Sequence, residues 1–448
     1  MHRNLRTVST KQQRVAELAK QSPLMGFTSL AYLMDIDWLR EAYGRTRTDA
    51  AAGVDDVTAA DYEVNLTDNL QGLLDRAKAG TYQAPPVKRA YIPKGDGTKE
   101  TRPIGIPTFE DKILQRAVVM LLEPIYEQDF YDCSYGYRTG RSAHQALEAL
   151  RNETMDSHGG WLLEVDIRKF FDTLDHAHVR SFLRQRVRDG VLLRLIDKWL
   201  QAGVMENGAV TTPEAGSSQG GVISPLLANI YLHYVLDDWF VKEVKPRLRG
   251  QAHLIRYADD FVMGFTHEED AKRVLEVLPK RLGKFGLAIH PEKTRLLPFQ
   301  RPPKATGGGG SGSGTAPGSF TFLGFTHYWG RSLRGNWVVM RKTAASRFSR
   351  ALRSIAQWCR FHRHDPIAEQ QQALSRKLRG HYAYYGITGN MRLLEWFRCA
   401  VVRRWQKWLN RRDCLRRLVW ALFPRFLQRF PLPWPTIVHS VYARAASP

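Results

Sequence analysis

The sequence predicts an α+β fold built around an antiparallel sheet and followed by an α-helical C-terminal region. Two short apolar runs indicate buried strands: WLLEVDI at 161–167 and the hairpin HLIRYADDFVMGF at 253–265, with helical segments between them. After about residue 340 strand patterns vanish and arginine becomes dense, which indicates the helical region. We expect helices at 341–363, 366–385, 390–411 and 413–429, ended by the prolines from Pro424 to Pro435.

The segment before the first apolar run is expected to be mostly helical, with one pair of strands. Residues 1–22 are polar and predict a flexible start or a lone helix. Within 23–80, leucines recur at helical spacing before a Gly80 stop. Residues 81–110 combine prolines, glycines and short β-type runs, which predicts a strand–loop–strand unit. Further helical spacing is found at about 110–128, at about 141–156 and in a long segment at 225–242.

A tract rich in glycine, serine and proline interrupts the later part of the chain at 301–319. Its low complexity predicts a flexible loop. Strand-like FTFLGF follows at once, so we interpret the tract as an expanded hairpin loop within a domain. A boundary between two domains is the alternative.

The charge of the chain predicts a polyanionic partner. The 448 residues carry a formal net charge of +22 and a pI near 10.0, while 43% hydrophobic residues suffice for a packed core. Nucleic acid is the leading candidate, and an acidic membrane surface is the alternative. No apolar run approaches the length of a spanning helix, and no signal peptide is evident. Four cysteines without a C-x-x-C pair predict a reducing, cytoplasmic location.

Three aspartates suggest two-metal nucleotidyl transfer. Asp166 ends an apolar strand in LLEVDIRKFFDTLDH, and Asp259 and Asp260 occupy a tight turn in IRYADDFVM. Adjacent acids flanked by apolar residues are costly unless a cation is present. Mg²⁺ prefers carboxylate and phosphate oxygens, and two such ions can activate a primer hydroxyl and steady a leaving pyrophosphate. An ordinary surface turn, where Asp is common, is the competing interpretation of the Asp pair.

An ordered series of sequence blocks resembles a reverse transcriptase of the bacterial group II intron-encoded type. The blocks are TRPIGIPTFEDKILQRAV at 101–118, SYGYRTGRSAHQAL at 134–147, LLEVDIRKFFDTLDH at 162–176, SQGGVISPLLANIYLHYVLD at 218–237, RYADDF at 256–261, GLAIHPEKTRLL at 286–297 and FLGFTHY at 322–328. The resemblance implies a right-hand polymerase fold, with fingers and a palm built on the antiparallel sheet and an α-helical thumb, or maturase, domain after them. It divides the chain into an N-terminal helical extension at 1–80, fingers and palm at 81–335, and the thumb/maturase domain with a short tail at 336–448.

The resemblance also implies roles for individual residues and for metals. Asp166, Asp259 and Asp260 would be catalytic and would hold two Mg²⁺ ions, with Mn²⁺ as the alternative. Four positions would bind the incoming deoxynucleoside triphosphate: Lys94, Arg102, Phe171 and Gln219. Lys94 and Arg102 would grip its phosphates, with loop solvation as the alternative. Gln219 would lie beside its sugar.

Phe171 and the FLGF block carry two further implied roles. Phe171, five residues after Asp166, matches the aromatic residue that excludes a 2′ hydroxyl, with simple core packing as the alternative. Leu323 and Gly324 resemble the turn that holds the primer end. Phe171 and the YADD turn both favour deoxynucleotides over ribonucleotides, which disfavours an RNA-templated RNA polymerase.

The basic C-terminal region resembles the part of intron-encoded proteins that binds intron RNA. RKLRGHYAYYGITGNMRLLEWF at 376–397 carries the resemblance, together with the ending PLPWPTIVHS. We expect nucleic-acid contacts from the basic residues Arg403, Arg404, Lys407, Arg411 and Arg412. A helical bundle with merely solvated arginines is the alternative. Without paired cysteines, the His–Cys endonuclease of many such proteins is expected to be absent.

The expected function is that of an RNA-directed DNA polymerase, which extends a DNA primer on an RNA template. In the same interpretation it binds group II intron RNA as a splicing maturase, and binds target DNA during intron mobility. A related reverse transcriptase with a host role in defence or DNA repair is the alternative. A non-catalytic splicing factor on a dead polymerase scaffold is disfavoured by the intact aspartates.

Overall fold

A computed structural model describes residues 2–93, 101–206, 209–211, 216, 220–303, 318–412, 419 and 421–442, and the side chains from residue 8 onward. The described chain forms two compact units. The first unit comprises the described residues of 1–93, 100–150 and 160–296, and the second comprises 151–159 and the described residues after 296. The division into domains at 80 and 335 stays a prediction.

The helices and strands include those that the apolar patterns predict, together with two short strands, at 204–206 and 209–211, where only helical segments are expected. The helices are α1 (His2–Gln21), α2 (Ile36–Gly44), α3 (Ala59–Glu63), α4 (Leu66–Ala79), α5 (Phe109–Asp129), α6 (Ala143–Asp156), α7 (His176–Arg186), α8 (Gly190–Leu200), α9 (Ser224–Leu232), α10 (Glu268–Gly283), α11 (Ala345–Phe361), α12 (Ile367–Tyr385), α13 (Met391–Leu409) and α14 (Phe423–Arg429). The strands are β1 (Val87–Pro93), β2 (Thr101–Ile106), β3 (Trp161–Asp166), β4 (Val204–Glu206), β5 (Ala209–Thr211), β6 (Ala252–Tyr257), β7 (Asp260–Phe265), β8 (Arg295–Pro298), β9 (Ser319–Phe322), β10 (Phe325–Arg331) and β11 (Trp337–Thr343).

The N-terminal helices of the first unit follow their leucine pattern. Residues 2–21 form a helix, so the helical alternative for the start of the chain is confirmed. In α4 the buried residues Leu70, Leu73 and Leu74 lie on one face. Gly80 ends this helix with a φ of 78°, a left-handed conformation that glycine adopts without strain.

Two four-stranded sheets lie in the first unit. In one, β1 and β2 pair antiparallel in the order β2-β1-β4-β5, as the strand–loop–strand pattern predicts. In the other, the order is β6-β7-β3-β8. Both β6–β7 and β7–β3 are antiparallel, so the two apolar runs that are distant in sequence meet in the same sheet.

The long helix expected at 225–242 is present, but its turns widen along its length. After α9 the chain continues as π-helix at His233–Asp237 and again at Phe240–Val244. Turns of this kind are rare and often occur at functional sites.

The second unit combines a three-stranded sheet with helices. The sheet has the antiparallel order β11-β10-β9. Helices α11, α12 and α13 begin and end within a few residues of their predicted limits, and they enclose a core that includes Leu378, Phe397 and Trp405. Of the last predicted helix, the described residues show α14 alone. Residues 304–317 of the Gly/Ser tract lie outside the described residues.

The architecture confirms the α+β class. The assignment of the C-terminal helices as a thumb stays a prediction. Across the described residues, no helix is long and apolar enough to cross a membrane.

Candidate active site

The strand register of the first unit brings the three aspartates together. Asp166 ends β3 and lies directly opposite Asp260, the first residue of β7. Asp259 precedes Asp260 in the turn that joins β6 to β7. Directly opposed residues in an antiparallel pair have Cβ atoms about 4.5–5.5 Å apart. One end of the sheet therefore carries three carboxyl groups.

The turn itself has an unusual backbone. Tyr257 pairs with Asp260, so Ala258 and Asp259 form a two-residue hairpin loop. Ala258 has a φ of 58°, a conformation that costs a non-glycine residue energy and is concentrated at functional sites. Gly136 lies against this turn so closely that a Cβ there would overlap the backbone nitrogen of Ala258. The loop is therefore held from outside.

A buried arginine anchors the turn that contains Ala258 and Asp259. The Arg256 side chain is fully buried, and its guanidinium donates to both carboxylate oxygens of Asp237 at 2.8 and 2.6 Å. It also donates to the backbone carbonyl of Ala258 at 3.1 Å, to Ser134 Oγ at 2.6 Å and to Asn229 Oδ1 at 3.0 Å. Five hydrogen bonds from one side chain therefore tie the turn to three other segments.

The π-helical segment supplies the acid of this network. Asp237 ends the first π-helical stretch and is fully buried. The carbonyls of Tyr234 and Val235 in the same stretch accept hydrogen bonds from Arg281 of α10 at 3.1 and 3.0 Å. The irregular helix thus has its own side-chain support, and it places Asp237 beside Arg256.

The electrostatics of the site favour a cation. Burial raises the pKa of the Asp259 carboxyl, and the neighbouring Asp166 raises it further, while Arg102 and Arg256 lower it. Lys293 donates to Asp166 Oδ2 at 2.9 Å. The segment after α10 brings this lysine there, because the backbone nitrogen of His290 bonds to the Asp166 carbonyl at 2.8 Å. In the described residues, no three carboxylate, imidazole or thiol groups already form a metal-binding cluster.

Of the polar residues predicted to bind the nucleotide, the structure describes Arg102. Arg102 lies on β2, is exposed, and is close enough to Asp259 to lower its pKa. Partial burial raises the pKa of the Tyr137 phenol, and Asp259 raises it further, so this ring also borders the site. Lys94 and Gln219 lie outside the described residues.

The adjacent rings of Phe170 and Phe171 differ in how deeply they are buried. Phe170 is buried in the core, and Phe171 is half-buried with its ring edge-to-face against Phe170 at 5.4 Å. Phe171 therefore keeps an accessible surface near the strand end that carries Asp166. The structure is compatible with a sugar-contacting role, which stays a prediction.

In the second unit, the residues predicted to hold the primer form a tight turn. Leu323 and Gly324 have φ of 48° and 80° and join β9 to β10, with Phe322 opposite Phe325. The Leu323 carbonyl accepts a hydrogen bond from the Tyr384 hydroxyl at 2.8 Å. The turn is thereby fixed to α12.

The predicted nucleic-acid residues lie on and after α13. Arg403 and Lys407 are exposed on this helix, and Arg404 is half-buried. Arg411 and Arg412 follow the end of the helix and are exposed. The guanidinium of Arg411 lies 5.0 Å from the centre of the Trp408 ring, a cation–π contact.

Some residues of the site were missed by sequence reasoning. Tyr137, Arg256 and Lys293 all lie inside the recognised blocks, but their residue types alone do not reveal which side chains reach the aspartates. Asp237 carried a usable signal, since an acid within an otherwise apolar helical run must be paired if it is buried.

The fold and the carboxylate arrangement define a polymerase-like nucleotidyltransferase. Residues 92–327 match the family of reverse transcriptases, or RNA-dependent DNA polymerases. The chain belongs to this family, and its relatives include proteins encoded by group II introns.

Two relatives illustrate the similarity. Protein YkfC of Escherichia coli is 35% identical over 329 residues, which cover 64% of this chain and 84% of the relative. Group II intron-encoded protein LtrA of Lactococcus lactis is 35% identical over 307 residues, which cover 64% of this chain and 50% of LtrA. The chain thus matches about half the length of LtrA.

A more distant relative is the nuclear intron maturase 2 of Arabidopsis thaliana mitochondria. It is 29% identical over 181 residues, covering 32% of this chain and 24% of the maturase.

Proposed function

We propose that Asp166, Asp259 and Asp260 hold the two divalent cations, Mg²⁺ with Mn²⁺ as the alternative, with which this chain copies RNA into DNA. The observation that carries the proposal is the register that sets Asp166 opposite Asp260, with Asp259 in the adjoining turn. When bound, the cations would activate the primer 3′ hydroxyl and neutralise charge on the leaving pyrophosphate.

The donor set and its charge fit such a cation. Three carboxylates offer the oxygen ligands that Mg²⁺ prefers. Asp166 disfavours the ionised form of Asp259, a repulsion that a cation between the two carboxyl groups would relieve. The ammonium group of Lys293 lies 2.9 Å from Asp166 Oδ2, so this carboxylate already has a positively charged partner. The role of the protein is to keep the carboxylates in place, which the Arg256 network supports.

The nucleotide would lie between the aspartates and the β1–β2 strands. Arg102 is positioned to bind triphosphate oxygens, since it lies close to Asp259 and is exposed. Lys94 and Gln219 belong to the same proposal through the sequence resemblance. Phe171 would exclude a 2′ hydroxyl with the accessible part of its ring.

The second unit would bind the template–primer and intron RNA. We assign the Leu323–Gly324 turn to the primer end, α11–α13 to a thumb, and the basic residues around α13 to nucleic-acid backbone contacts. The printed names of LtrA and of the Arabidopsis maturase support a maturase role with intron RNA, and target DNA would be the second nucleic-acid partner. The alternative is a host role in defence or DNA repair.

Primer extension tests the polymerase proposal. The full chain is incubated with a DNA primer on an RNA template, Mg²⁺ and each nucleotide class in turn. We expect extension with deoxynucleotides, little with ribonucleotides, and none after chelation of the metal. Equal extension with ribonucleotides, or extension on DNA templates alone, would contradict the proposal.

Intron RNA tests the maturase proposal separately. The DNA flanking the gene is searched for intron RNA domains, and the transcript is tested for binding and splicing with the protein. We expect tight binding and protein-dependent splicing. Flanking DNA without intron domains, combined with active primer extension, would favour the host role.

A further inference from the structure

A cavity of about 380 Å³ opens in the first unit between the π-helical segment and α10. Its apolar lining is aliphatic, from Val244, Leu248, Val274 and Val277, with Trp239 beside them. Val244 and Val274 are buried, while Val277 is 41% exposed and can be reached from solvent. None of the three aspartates lines this cavity. We call it the basic pocket, because of its rim.

The rim of the basic pocket carries five cationic side chains and a single carboxylate. The cations are Arg247, Arg273, Lys280, Arg281 and Lys284, and the carboxylate is Glu243. A local excess of this size creates a positive potential at the mouth of a concave apolar site.

The cations of the rim are not equally available. Arg281 donates to the backbone carbonyls of Tyr234 and Val235, so its guanidinium is already engaged within the protein. Lys280 has Glu276 within 3.2 Å on the same helix. Arg273 and Lys284 are exposed and have no ion pair with any of the residues that the structure describes. Arg247, the remaining cation of the rim, has the Glu243 carboxylate within 3.8 Å, so in the described part of the chain Arg273 and Lys284 are the two unpaired side chains that an incoming anion would meet.

We propose that the basic pocket binds an acidic peptide segment of a partner protein, with one bulky apolar side chain inserted between Val244 and Val277. Charge complementarity with Arg273 and Lys284 argues for acidic residues that flank the apolar one. The volume lies at the small end of known ligand sites and suits one or two side chains. This site is separate from the proposed polymerase function and adds a protein partner to it.

Nucleic acid is the competing ligand for any basic surface of this chain, and the lining disfavours it. A base in a nucleic-acid pocket is held mainly by stacking on an aromatic face. Here the reachable lining is aliphatic, and Trp239 is 7% exposed. A nucleic acid would thus use the rim charges alone and gain nothing from the apolar floor.

Fluorescence anisotropy with defined peptides tests the proposal on the full chain. The probe is a labelled peptide of four aspartates followed by Leu-Phe, and a matched peptide replaces Leu-Phe with Ser-Ser. We expect the Ser-Ser peptide to bind at least tenfold more weakly. We expect similar losses for the apolar probe with Val277→Asp and with the double variant Arg273→Ala and Lys284→Ala.

Lys272→Ala is the matched control, because Lys272 neighbours Arg273 on α10 but does not line the pocket. It should leave binding within twofold. Equal affinity for both peptides, or loss of binding in the control as large as in the double variant, would show that charge alone attracts the probe and would overturn the proposal. An oligothymidylate that displaces the probe from wild type and binds the double variant Arg273→Ala and Lys284→Ala at least tenfold more weakly than wild type, but binds Val277→Ser as tightly as wild type while the peptide does so too, would assign the surface to nucleic acid and also overturn the proposal.

Discussion

The β6–β7 hairpin of the first unit and the basic helix α13 of the second unit would perform their proposed roles by different means. The hairpin depends on groups that are fully buried, above all the Arg256–Asp237 pair. The residues around α13 are mostly exposed, and Arg403 and Lys407 have no carboxylate to hold them in the described structure. A buried hydrogen-bond network holds its atoms in fixed positions, whereas exposed charges raise the affinity for nucleic acid mainly according to how many of them contact phosphate.

This difference predicts two patterns of sensitivity to mutation. A buried charged group that loses its partner is left unsolvated, at a cost of about 3–5 kcal/mol. An exposed lysine or arginine that contacts phosphate contributes one of several similar, salt-dependent terms. Single substitutions should therefore abolish activity near the hairpin and change it little around α13.

The largest effect is expected from Asp259→Asn. Losing a carboxylate ligand should cost about 4 kcal/mol of transition-state stabilisation, on the order of a thousandfold in rate, and RNA binding should remain unchanged. Single-turnover primer extension measures the rate. The control Glu269→Gln neutralises an exposed acid of α10 and should keep the wild-type rate. A near wild-type rate for Asp259→Asn would remove this residue from the metal site.

The buried pair comes next, and two variants separate positioning from stability. Asp237→Ala leaves the Arg256 charge unpaired and should lower the free energy of unfolding by about 3–5 kcal/mol. The double variant Arg256→Met and Asp237→Leu removes both charges, which is often neutral for stability. It also removes the hydrogen bond to the Ala258 carbonyl, so we expect a melting temperature near wild type but a roughly tenfold loss of kcat.

Full activity in a folded double variant would show that the turn keeps its geometry without the arginine. The idea that buried contacts hold the β6–β7 hairpin in its active geometry would then be wrong. An equal loss of RNA affinity and of kcat would instead indicate a general disturbance of the first unit.

The part of the site that could be predicted from the sequence depends on the order of the sequence blocks and on the apolar pattern of the strands. Asp166 and the Asp259–Asp260 pair could be expected to come together, because all three residues lie at the ends of apolar strands. The prediction failed to identify Arg256, Asp237 and Lys293 as partners, since a contact between residues far apart in sequence follows from tertiary packing. The π-helical turns at 233–237 are equally invisible to a pattern of 3.6 residues per turn.

Phe171→Ala tests a residue that lies between the two extremes, since its ring is half-buried. Removing the ring should admit the 2′ hydroxyl and raise ribonucleotide incorporation, by roughly tenfold if one steric contact of about 1.4 kcal/mol is lost. A competition assay with both nucleotide classes measures the ratio. Phe170→Leu is the control, because Phe170 is a buried core residue, and it should change stability rather than selectivity. Unchanged discrimination in Phe171→Ala would make Phe171 a packing residue.

The smallest effect per residue is expected in the basic region. Neutralising any one of Arg403, Arg404, Lys407, Arg411 and Arg412 should weaken RNA binding by only a few-fold, because each phosphate contact contributes a small and similar share. Neutralising all five should weaken binding strongly and flatten its dependence on salt, by up to about one slope unit per lost contact. Filter binding over a series of salt concentrations measures both quantities.

The five residues are not equivalent, and this sharpens the expected result. Arg412 donates to the backbone carbonyl of Asp365, and Arg411 lies over Trp408, so part of their charge is engaged within the second unit. Arg403 and Lys407 are exposed on one face of α13 and should account for most of the change in slope. The rate constant for chemistry at saturating template should stay unchanged, because the aspartates belong to the other unit. An unchanged slope and affinity would mean that these charges form only a solvated face, whereas a single residue that carried the whole effect would show that this helix, too, contains a positioned site.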